Sequence, residues 1–243
     1  MIAAFGIHCA GGQLVTLNTR YKGEEAASIL ADSAANTLFL VGEFLGVSYP
    51  DMLSGADLPH FKLRIIVGGA AEPNTMGWSD LVAAVDQWIA AHGSAAIEAV
   101  ARTVASDDIS DIMFTSGTTG RAKGVLASHG QNVRAFRLFT EILGLESSDR
   151  YLIINPFFHS FGFKAGLLAC LITGCTVLPE PVFDVDAILA RIDRDAVTVM
   201  PGPPTIFQSI LAHPNRDKYS LASLTKCTTG AAVIPTELIV AMR

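Results

Sequence analysis

Residues 115–124 are the segment of this sequence with the clearest chemical potential, since they combine glycines, hydroxyl side chains and one lysine between two apolar runs. Glycine allows close backbone approach and positive φ, hydroxyl groups donate hydrogen bonds, and Lys123 supplies a compact positive charge. A bound polyphosphate requires these three kinds of group. The glycines are Gly117, Gly120 and Gly124, and the hydroxyl residues are Thr115, Ser116, Thr118 and Thr119.

Two other interpretations of this segment compete with a phosphate loop. A Walker A loop ending at Lys123 would need Gly at position 122 and Ser or Thr at position 124, but the sequence has Ala122 and Gly124. The segment is therefore not an ordinary P-loop. Composition alone would favour a flexible Ser/Thr/Gly turn between strands. The order of the residues favours the phosphate loop over that turn.

A second candidate segment, residues 155–163, places His159 among phenylalanines and next to Phe161 and Gly162. A single histidine beside aromatic residues is more often a structural core residue than a functional one. The alternative is a histidine that borders a binding pocket at the end of a strand.

A third candidate segment, residues 228–238, has the pattern of a strand, a loop of small residues and a helix that begins after a proline. Gly230, Ala231 and Ala232 would permit a flat ring to lie against the backbone. An ordinary tight turn between a strand and a helix has the same pattern.

The run Thr-Ser-Gly-Thr-Thr-Gly-x-x-Lys-Gly at residues 115–124 resembles the signature of the acyl-adenylate-forming superfamily, and the other segments follow in the order of that family. Ala122 stands where proline is usual, which removes no phosphate ligand. Residues 155–163 resemble the Pro-x-x-His motif of the family, and residues 228–238 resemble its loop that contacts adenine and the acyl carboxylate.

The resemblance implies an AMP-forming acyl-CoA synthetase that uses ATP, Mg²⁺ and CoA and converts a small carboxylic acid to acyl-AMP and then to acyl-CoA. Lys123 and His159 would be the catalytic residues, and no residue is assigned to a metal. ATP would contact Lys123 and the loop residues Thr115, Ser116, Gly117, Thr118, Thr119, Gly120 and Gly124, with Gly230, Ala231 and Ala232 at the adenine. The acid would contact His159, Phe161, Gly162 and Gly230.

The acid is expected to be apolar, fatty acyl or related, because no Asp that could hold an α-amine lies within residues 155–164, whereas four phenylalanines do. By resemblance, residues 1–243 are expected to be part of the large N-terminal domain, without its first segment and without the small C-terminal domain. The alternative function is a catalytically inactive remnant or nucleotide-binding fragment. A Rossmann oxidoreductase is a poor alternative, since no G-x-G-x-x-G follows a strand.

The elements that must position these segments alternate between short apolar runs and amphipathic stretches of helical length. This alternation is typical of βαβ units and predicts an α/β fold with mostly parallel sheets and flanking helices. Ser128-x-x-Gln131 predicts a capping box that opens a further helix, and Asp184 is a good N-cap for the helix predicted at residues 185–193. The predicted strands are residues 13–17, 37–41, 63–67, 151–155, 175–178, 196–200 and 224–228, and the predicted helices are residues 23–33, 78–91, 164–172, 185–193, 203–212 and 235–242.

The composition narrows the class of protein. The 243 residues carry a formal net charge of -6 with scattered basic residues, which argues against a nucleic-acid partner. The four cysteines, Cys9, Cys170, Cys175 and Cys227, are unevenly spaced and predict reduced thiols in a cytoplasmic protein. The longest apolar run, residues 161–178, contains Lys164 and three glycines, so no membrane span is expected. The sequence leaves the oligomeric state open.

Overall fold

The computed structural model describes residues 1–69, 71–115 and 122–243. The chain divides into two compact units, Met1–Gln131 and Asn132–Arg243. Each unit contains parallel β-sheet and flanking helices, so the predicted fold class is confirmed. Among the described residues, no helix combines the length and the apolarity that crossing a bilayer requires.

In its described residues, the first unit contains two three-stranded sheets, with strand orders β1-β7-β8 and β2-β5-β6, and a two-stranded hairpin, β3-β4. The strands are β1 Leu14–Thr16, β2 Thr37–Leu40, β3 Glu43–Phe44, β4 Val47–Ser48, β5 Leu63–Ile66, β6 Met76–Gly77, β7 Ile109–Thr115 and β8 Lys123–Ser128. The helices are α1 Ile2–Cys9, α2 Gly23–Asp32, α3 Tyr49–Met52, α4 Trp78–His92 and α5 Ser94–Ala101, and α6 His129–Leu143 begins at the end of this unit.

Strands β7 and β8 run antiparallel, whereas β1 pairs with β7 in parallel. A parallel pair needs a crossover of a dozen or more residues, so two strands joined only by residues 116–122 must pair antiparallel. The pairing sets Thr115 opposite Lys123 and Phe114 opposite Gly124. The two ends of the predicted phosphate loop are therefore adjacent.

The second unit has one four-stranded parallel sheet with the strand order β10-β9-β11-β12. Its strands are β9 Arg150–Ile153, β10 Thr176–Pro179, β11 Val199–Gly202 and β12 Lys226–Thr229. Its helices are α7 Ser160–Gly162, a π-helical stretch Phe163–Leu168, α8 Ala169–Thr173, α9 Val185–Arg194, α10 Pro204–Leu211, a 3₁₀ turn Arg216–Lys218 and α11 Thr236–Ala241.

Helices α9, α10 and α11 cover one face of this sheet. They pack Ile188, Ile192 and Phe207 against Leu152 of β9 and Met200 of β11. In α9 and α10 the buried residues recur three to four positions apart, which makes one apolar stripe on each of these helices, and α11 adds Leu238. Each fully buried large aliphatic side chain stabilises the fold by about 1.5–3 kcal/mol.

Two predicted helix starts are confirmed by side-chain capping. The backbone N–H of Ala187 donates to Asp184 Oδ1 at 2.8 Å at the start of α9. The backbone N–H of Ser128 donates to Gln131 Oε1 at 2.9 Å, and the backbone N–H of Gln131 donates to Ser128 Oγ at 3.3 Å. This reciprocal pair is the predicted capping box of α6.

Two predicted elements differ from the structure. The strand predicted at residues 196–200 begins only at Val199, because Ala196 has a φ of 46° and the N–H of Val197 donates to Ile192 O, which closes α9. The helix predicted at residues 164–172 begins with a π-helical stretch, Phe163–Leu168. A single π turn inside a helix frequently occurs at a functional site.

Candidate functional site

An open cavity of about 340 Å³ lies in the second unit, where β12 ends and where the chain continues after β9. Ligands of parallel α/β sheets bind outside the carboxyl ends of the strands, in such a crevice. Among the described residues that line this cavity, none is Asp, Glu, Lys or Arg. The lining consists of Phe136, Phe139, His159, Ser160, Phe161, Ala165, Thr228, Thr229, Gly230 and Ala231.

The segment after β9 carries His159 to the cavity. Asn155 Nδ2 donates to Pro201 O at 3.2 Å, which ties the end of β9 to β11. His159 then begins the short helix α7, where its Nδ1 accepts a hydrogen bond from the backbone N–H of Phe161 at 3.1 Å. The histidine is thus fixed at a helix start rather than packed in the core.

The hydrogen bond to Nδ1 determines what the ring of His159 can do. A nitrogen that accepts a hydrogen bond carries no proton, so the neutral imidazole holds its proton on Nε2. Because His159 lines the cavity, its Nε2–H can serve as a donor to an oxygen of a ligand bound there. A carboxylate is one group that accepts such a bond.

Gly162 has a packing role at this site. A Cβ at this position would lie 2.2 Å from Pro156 O and 2.3 Å from Asn155 O, so no larger residue fits without moving the backbone. Gly162 is buried, and it is not among the described residues that line the cavity. Its small size lets α7 lie directly against the turn that carries His159.

The π-helical stretch supplies another wall of the cavity through Ala165. It lies against β9, where a Cβ at Gly166 would meet the side chain of Ile153 at 3.0 Å. The hydroxyl of Tyr151 donates to Ala165 O at 2.6 Å, and burial raises the pKa of that phenol. The neutral hydroxyl therefore supports the backbone of the wall as a donor.

The loop after β12 forms the opposite wall. Apart from its two chain neighbours, no described residue has an atom within 4 Å of a Cβ built at Gly230, so this backbone is open. Ala231 adopts a φ of 64°, a left-handed conformation that is uncommon and costs a non-glycine residue free energy. Thr229 Oγ1 is buried, and no described residue forms a hydrogen bond with it. Ala232 follows this loop and is not among the described lining residues.

The predicted phosphate-binding residues belong to the first unit. Lys123 is exposed and begins β8, and Thr115 is its partner at the end of β7. Gly124 has no positive φ, so its backbone conformation does not require glycine. A Cβ at this position would meet Ile112 Cγ2 at 2.9 Å and Phe114 Cζ at 3.3 Å, so close packing against β7 is what favours glycine there. Five predicted phosphate-binding residues, Ser116, Gly117, Thr118, Thr119 and Gly120, lie outside the described residues.

Four predicted site residues line one cavity although they come from distant parts of the sequence: His159, Phe161, Gly230 and Ala231. Sequence reasoning did not assign Phe136 and Phe139 to the site. Their spacing of three residues on α6 put them on one apolar helix face, which indicated burial but not a pocket. Ser160, Ala165, Thr228 and Thr229 were also not predicted.

A polar network lies at the amino ends of the strands of the second unit, at the end of the sheet away from the cavity. Asp149 Oδ2 accepts from Lys226 Nζ and Asp149 Oδ1 accepts from Thr198 Oγ1, each at 2.7 Å. Burial of Asp149 opposes its ionisation, but the hydrogen bonds from Lys226, from the backbone N–H of Glu146 and from Thr198 lower its pKa overall. The network joins the amino ends of β9, β11 and β12, and so holds these strands in register.

The comparisons with known proteins agree with one another. A family model described as AMP-binding enzyme matches residues 1–243. The chain is 46% identical over 248 residues to a 3-[(3aS,4S,7aS)-7a-methyl-1,5-dioxo-octahydro-1H-inden-4-yl]propanoyl:CoA ligase of Rhodococcus jostii (strain RHA1). It is 45% identical over 246 residues to the protein of the same name from Mycobacterium tuberculosis. Both alignments cover 100% of this chain but 47% and 46% of the relatives.

The chain thus spans about half the length of the curated relatives it matches. Among solved structures, the anthranilate CoA ligase AuaEII in complex with anthranoyl-AMP aligns with a TM-score of 0.81 at 24% identity, covering 98% of this chain and 44% of that one. The N-terminal domain of FACL13 from Mycobacterium tuberculosis aligns with a TM-score of 0.74 at 22% identity, covering 98% and 55%. These likenesses establish a shared fold.

Proposed function

Because this chain belongs to the AMP-binding enzyme family, we propose that it is the acid- and nucleotide-binding part of an AMP-forming acid:CoA ligase. The cavity supports this proposal most directly, since it combines one histidine donor, an apolar wall and an open glycine backbone. A carboxylic acid with an apolar body needs these features.

In the proposed reaction, a carboxylate oxygen attacks the α-phosphorus of ATP, a new O–P bond forms and pyrophosphate leaves. The thiolate of CoA then attacks the carbonyl carbon of the acyl-AMP and AMP leaves. His159 would donate from Nε2 to the carboxylate and orient it, which is positioning rather than proton transfer. Lys123 would neutralise part of the charge of the β and γ phosphates, and the hydroxyl groups of Thr115, Ser116, Thr118 and Thr119 would donate hydrogen bonds to them.

Magnesium is part of this proposal because enzymes of the family use ATP together with Mg²⁺. Among residues 1–69, 71–115 and 122–243, no group of three His, Cys, Asp or Glu side chains is placed so that it could hold a metal ion. A magnesium ion bound through the phosphates of ATP needs few protein ligands and keeps several waters. We therefore assign none of the described residues to the metal.

The lining of the cavity supports a simple carboxylic acid rather than an amino acid. An α-ammonium group would require an acidic partner, and the described lining residues include none. Phe136, Phe139 and Phe161 supply aromatic faces that favour contact with a ring or a hydrocarbon chain. The adenine would lie along the backbone of Gly230, with Ala231 and Ala232 beside it.

Within this class, we favour a propanoic acid that carries a fused carbocyclic ring. The two relatives with 46% and 45% identity are named for such an acid, whereas a feruloyl-CoA synthase and a long-chain-fatty-acid CoA ligase match at 35% and 36% over 136 and 137 residues. A straight-chain fatty acid is the second candidate.

Acid-dependent exchange of radiolabelled pyrophosphate into ATP tests the proposed function. The chain would be assayed with a bicyclic propanoate, a long-chain fatty acid, ferulate and no acid. Exchange that requires an acid supports the ligase, and the order of the acids identifies the substrate class. Absence of exchange together with an ATP-dependent rise in melting temperature would instead indicate a nucleotide-binding fragment without catalysis. Absence of both would overturn the proposal.

A further inference from the structure

Tyr151 is a buried residue of strand β9 and is not among the described residues that line the cavity. Strand β9 lies between β10 and β11, and Tyr151 has Val177 and Val199 as its partners in the two neighbouring strands. Strand pairing on both sides fixes the backbone of the tyrosine. Its phenol therefore extends from a rigid position in the sheet.

The helical segment that follows β9 has an anchored end and an end that faces the cavity. Helix α7, the π-helical stretch and α8 follow one another without a break over residues 160–173. Ala169 and Cys170 of α8 are buried in the core. Phe161 of α7 and Ala165 of the π-helical stretch line the cavity. The π-helical stretch thus joins the anchored end to the cavity wall.

The π-helical stretch deprives Ala165 O of its usual hydrogen-bond donor. In an α-helix, the N–H of residue 169 donates to the carbonyl of residue 165, four positions earlier. Here the N–H of Ala169 donates to Lys164 O and Gly166 O instead. A buried carbonyl without a donor costs free energy, so Ala165 O needs a partner from elsewhere.

Tyr151 is that partner. Its hydroxyl donates to Ala165 O at 2.6 Å. Burial raises the pKa of the phenol well above its usual value, so the hydroxyl keeps the proton that it donates. The tyrosine therefore supplies the hydrogen bond that the π turn takes away, and it stabilises the π turn relative to a regular α-helix.

The π turn determines how the cavity residues are oriented. A π turn contains one residue more than an α turn, and each residue of an α-helix advances the helix by about 100°. If the stretch became regular α-helix, the residues before it would rotate by about 100° relative to α8. These residues include His159 and Phe161, whose places at the cavity would be lost.

We propose that Tyr151 is a positioning residue for the acid, because its hydroxyl holds the π turn that orients His159 and Phe161 at the cavity. This inference rests on the proposed function for the identity of the ligand. Tyr151 itself touches neither the acid nor the nucleotide, and it acts through Ala165 O. Binding of the acid should therefore depend on the phenol hydroxyl, whereas binding of ATP should not.

Tyr151→Phe tests this role, because it keeps the ring and removes only the hydroxyl. In the pyrophosphate exchange assay, we expect the KM for a ring-bearing propanoate to rise roughly tenfold to a hundredfold, since misplaced contacts at a site can cost this much. The KM for ATP should stay the same. A variant that was merely less stable would lose active molecules and lower kcat for every acid, with KM unchanged. Unchanged KM values for the acids would overturn the proposal.

Tyr49→Phe is the matched control. The hydroxyl of Tyr49 also donates to a backbone carbonyl, Thr19 O at 2.9 Å, but Tyr49 belongs to the first unit and is not among the described lining residues. We expect this variant to leave every KM unchanged. An equal rise in the KM for the acid in both variants would show that the effect does not come from the π turn, and the proposal would fail.

The backbone of residues 163–168 gives a readout that requires no activity. A crystal structure of Tyr151→Phe should show the N–H of Ala169 donating to Ala165 O, as in a regular α-helix. A π turn that persists in this variant would overturn the proposal. Absence of exchange in the unmodified chain would count against the proposed function instead, and the turn in Tyr151→Phe would still decide whether the phenol holds the cavity wall.

Discussion

The backbone N–H of Phe161 donates to Nδ1 of His159 at 3.1 Å, so one short helix fixes both the position and the tautomer of the histidine that lines the cavity. The same helix carries Phe161 into the cavity wall. Its start depends in turn on Gly162, whose missing side chain leaves room for two backbone oxygens. The part of the proposed acid site that follows β9 is therefore fixed by contacts between residues close in sequence.

Replacing His159 with alanine should lower acid-dependent pyrophosphate exchange by roughly tenfold to a thousandfold, because one positioned donor to the reacting carboxylate is lost. The variant should also lose roughly 0.5–2 kcal/mol of stability with the helix cap. His159→Asn is the matched control, since its side chain can still cap α7. If His159→Asn exchanges pyrophosphate as the unmodified chain does, His159 acts only as a cap.

Replacing Lys123 with alanine should reduce the stabilisation that ATP and magnesium give to the chain. A ligand at a hundred times its Kd stabilises a fold by about 2.7 kcal/mol, and each tenfold loss of affinity removes about 1.4 kcal/mol. Thermal melts with and without ATP measure this difference. Lys218→Ala, at another exposed lysine, should leave the ATP effect unchanged. Equal shifts for the two variants would show that Lys123 does not bind phosphate.

Alanine substitutions at Gly162 and Gly230 should separate packing from binding. Gly162→Ala places a Cβ 2.2 Å from Pro156 O, so we expect a loss of roughly 1–3 kcal/mol in the free energy of unfolding. In Gly230→Ala the new Cβ has no atom of a described residue within 4 Å apart from its chain neighbours, so stability should change by less than about 0.5 kcal/mol. The substitution should still weaken acyl-adenylate binding. Urea unfolding and calorimetric titration with an acyl-adenylate analogue give the two readouts. A strongly destabilised Gly230→Ala would argue against an open backbone there.

Replacing Phe139 with alanine should weaken binding of a ring-bearing acid by roughly tenfold or more, because an aromatic wall of the cavity is removed. The neighbouring Leu138 is 56% exposed and does not line the cavity, so Leu138→Ala controls for a change in α6 itself. The exchange assay across the acid panel would compare KM values. If both variants raise KM equally, Phe139 is not a contact of the acid.

Replacing Asp149 with asparagine should destabilise the second unit by roughly 1–3 kcal/mol at neutral pH, since Lys226 and Thr198 lose a charged acceptor. The pKa of Asp149 is lowered below its usual 3.8, so the carboxylate stabilises the fold above about pH 4 and this stabilisation is lost as the pH falls through the lowered value. Urea unfolding at pH 7 and near pH 3 should show a difference that shrinks in acid. A difference that is the same at both pH values would rule out the ionic contribution.

Local patterns in the sequence determined much of the second unit and the start of helix α6. The alternation of apolar runs and amphipathic stretches gave the order of strands and helices, and Asp184 and the pair Ser128 and Gln131 marked two helix starts that the side chains cap as expected. These features depend on residues within four positions of one another. The assigned roles of the site residues remain predictions.

Only the tertiary structure decided which side chains meet. The parallel order β10-β9-β11-β12 brings the ends of β9 and β12 to one cavity, where His159 and Phe161 lie with Gly230 and with two phenylalanines of α6. Propensity and capping act through neighbouring residues, whereas a cavity depends on where the chain returns after whole elements have packed. No short stretch of sequence carries that information.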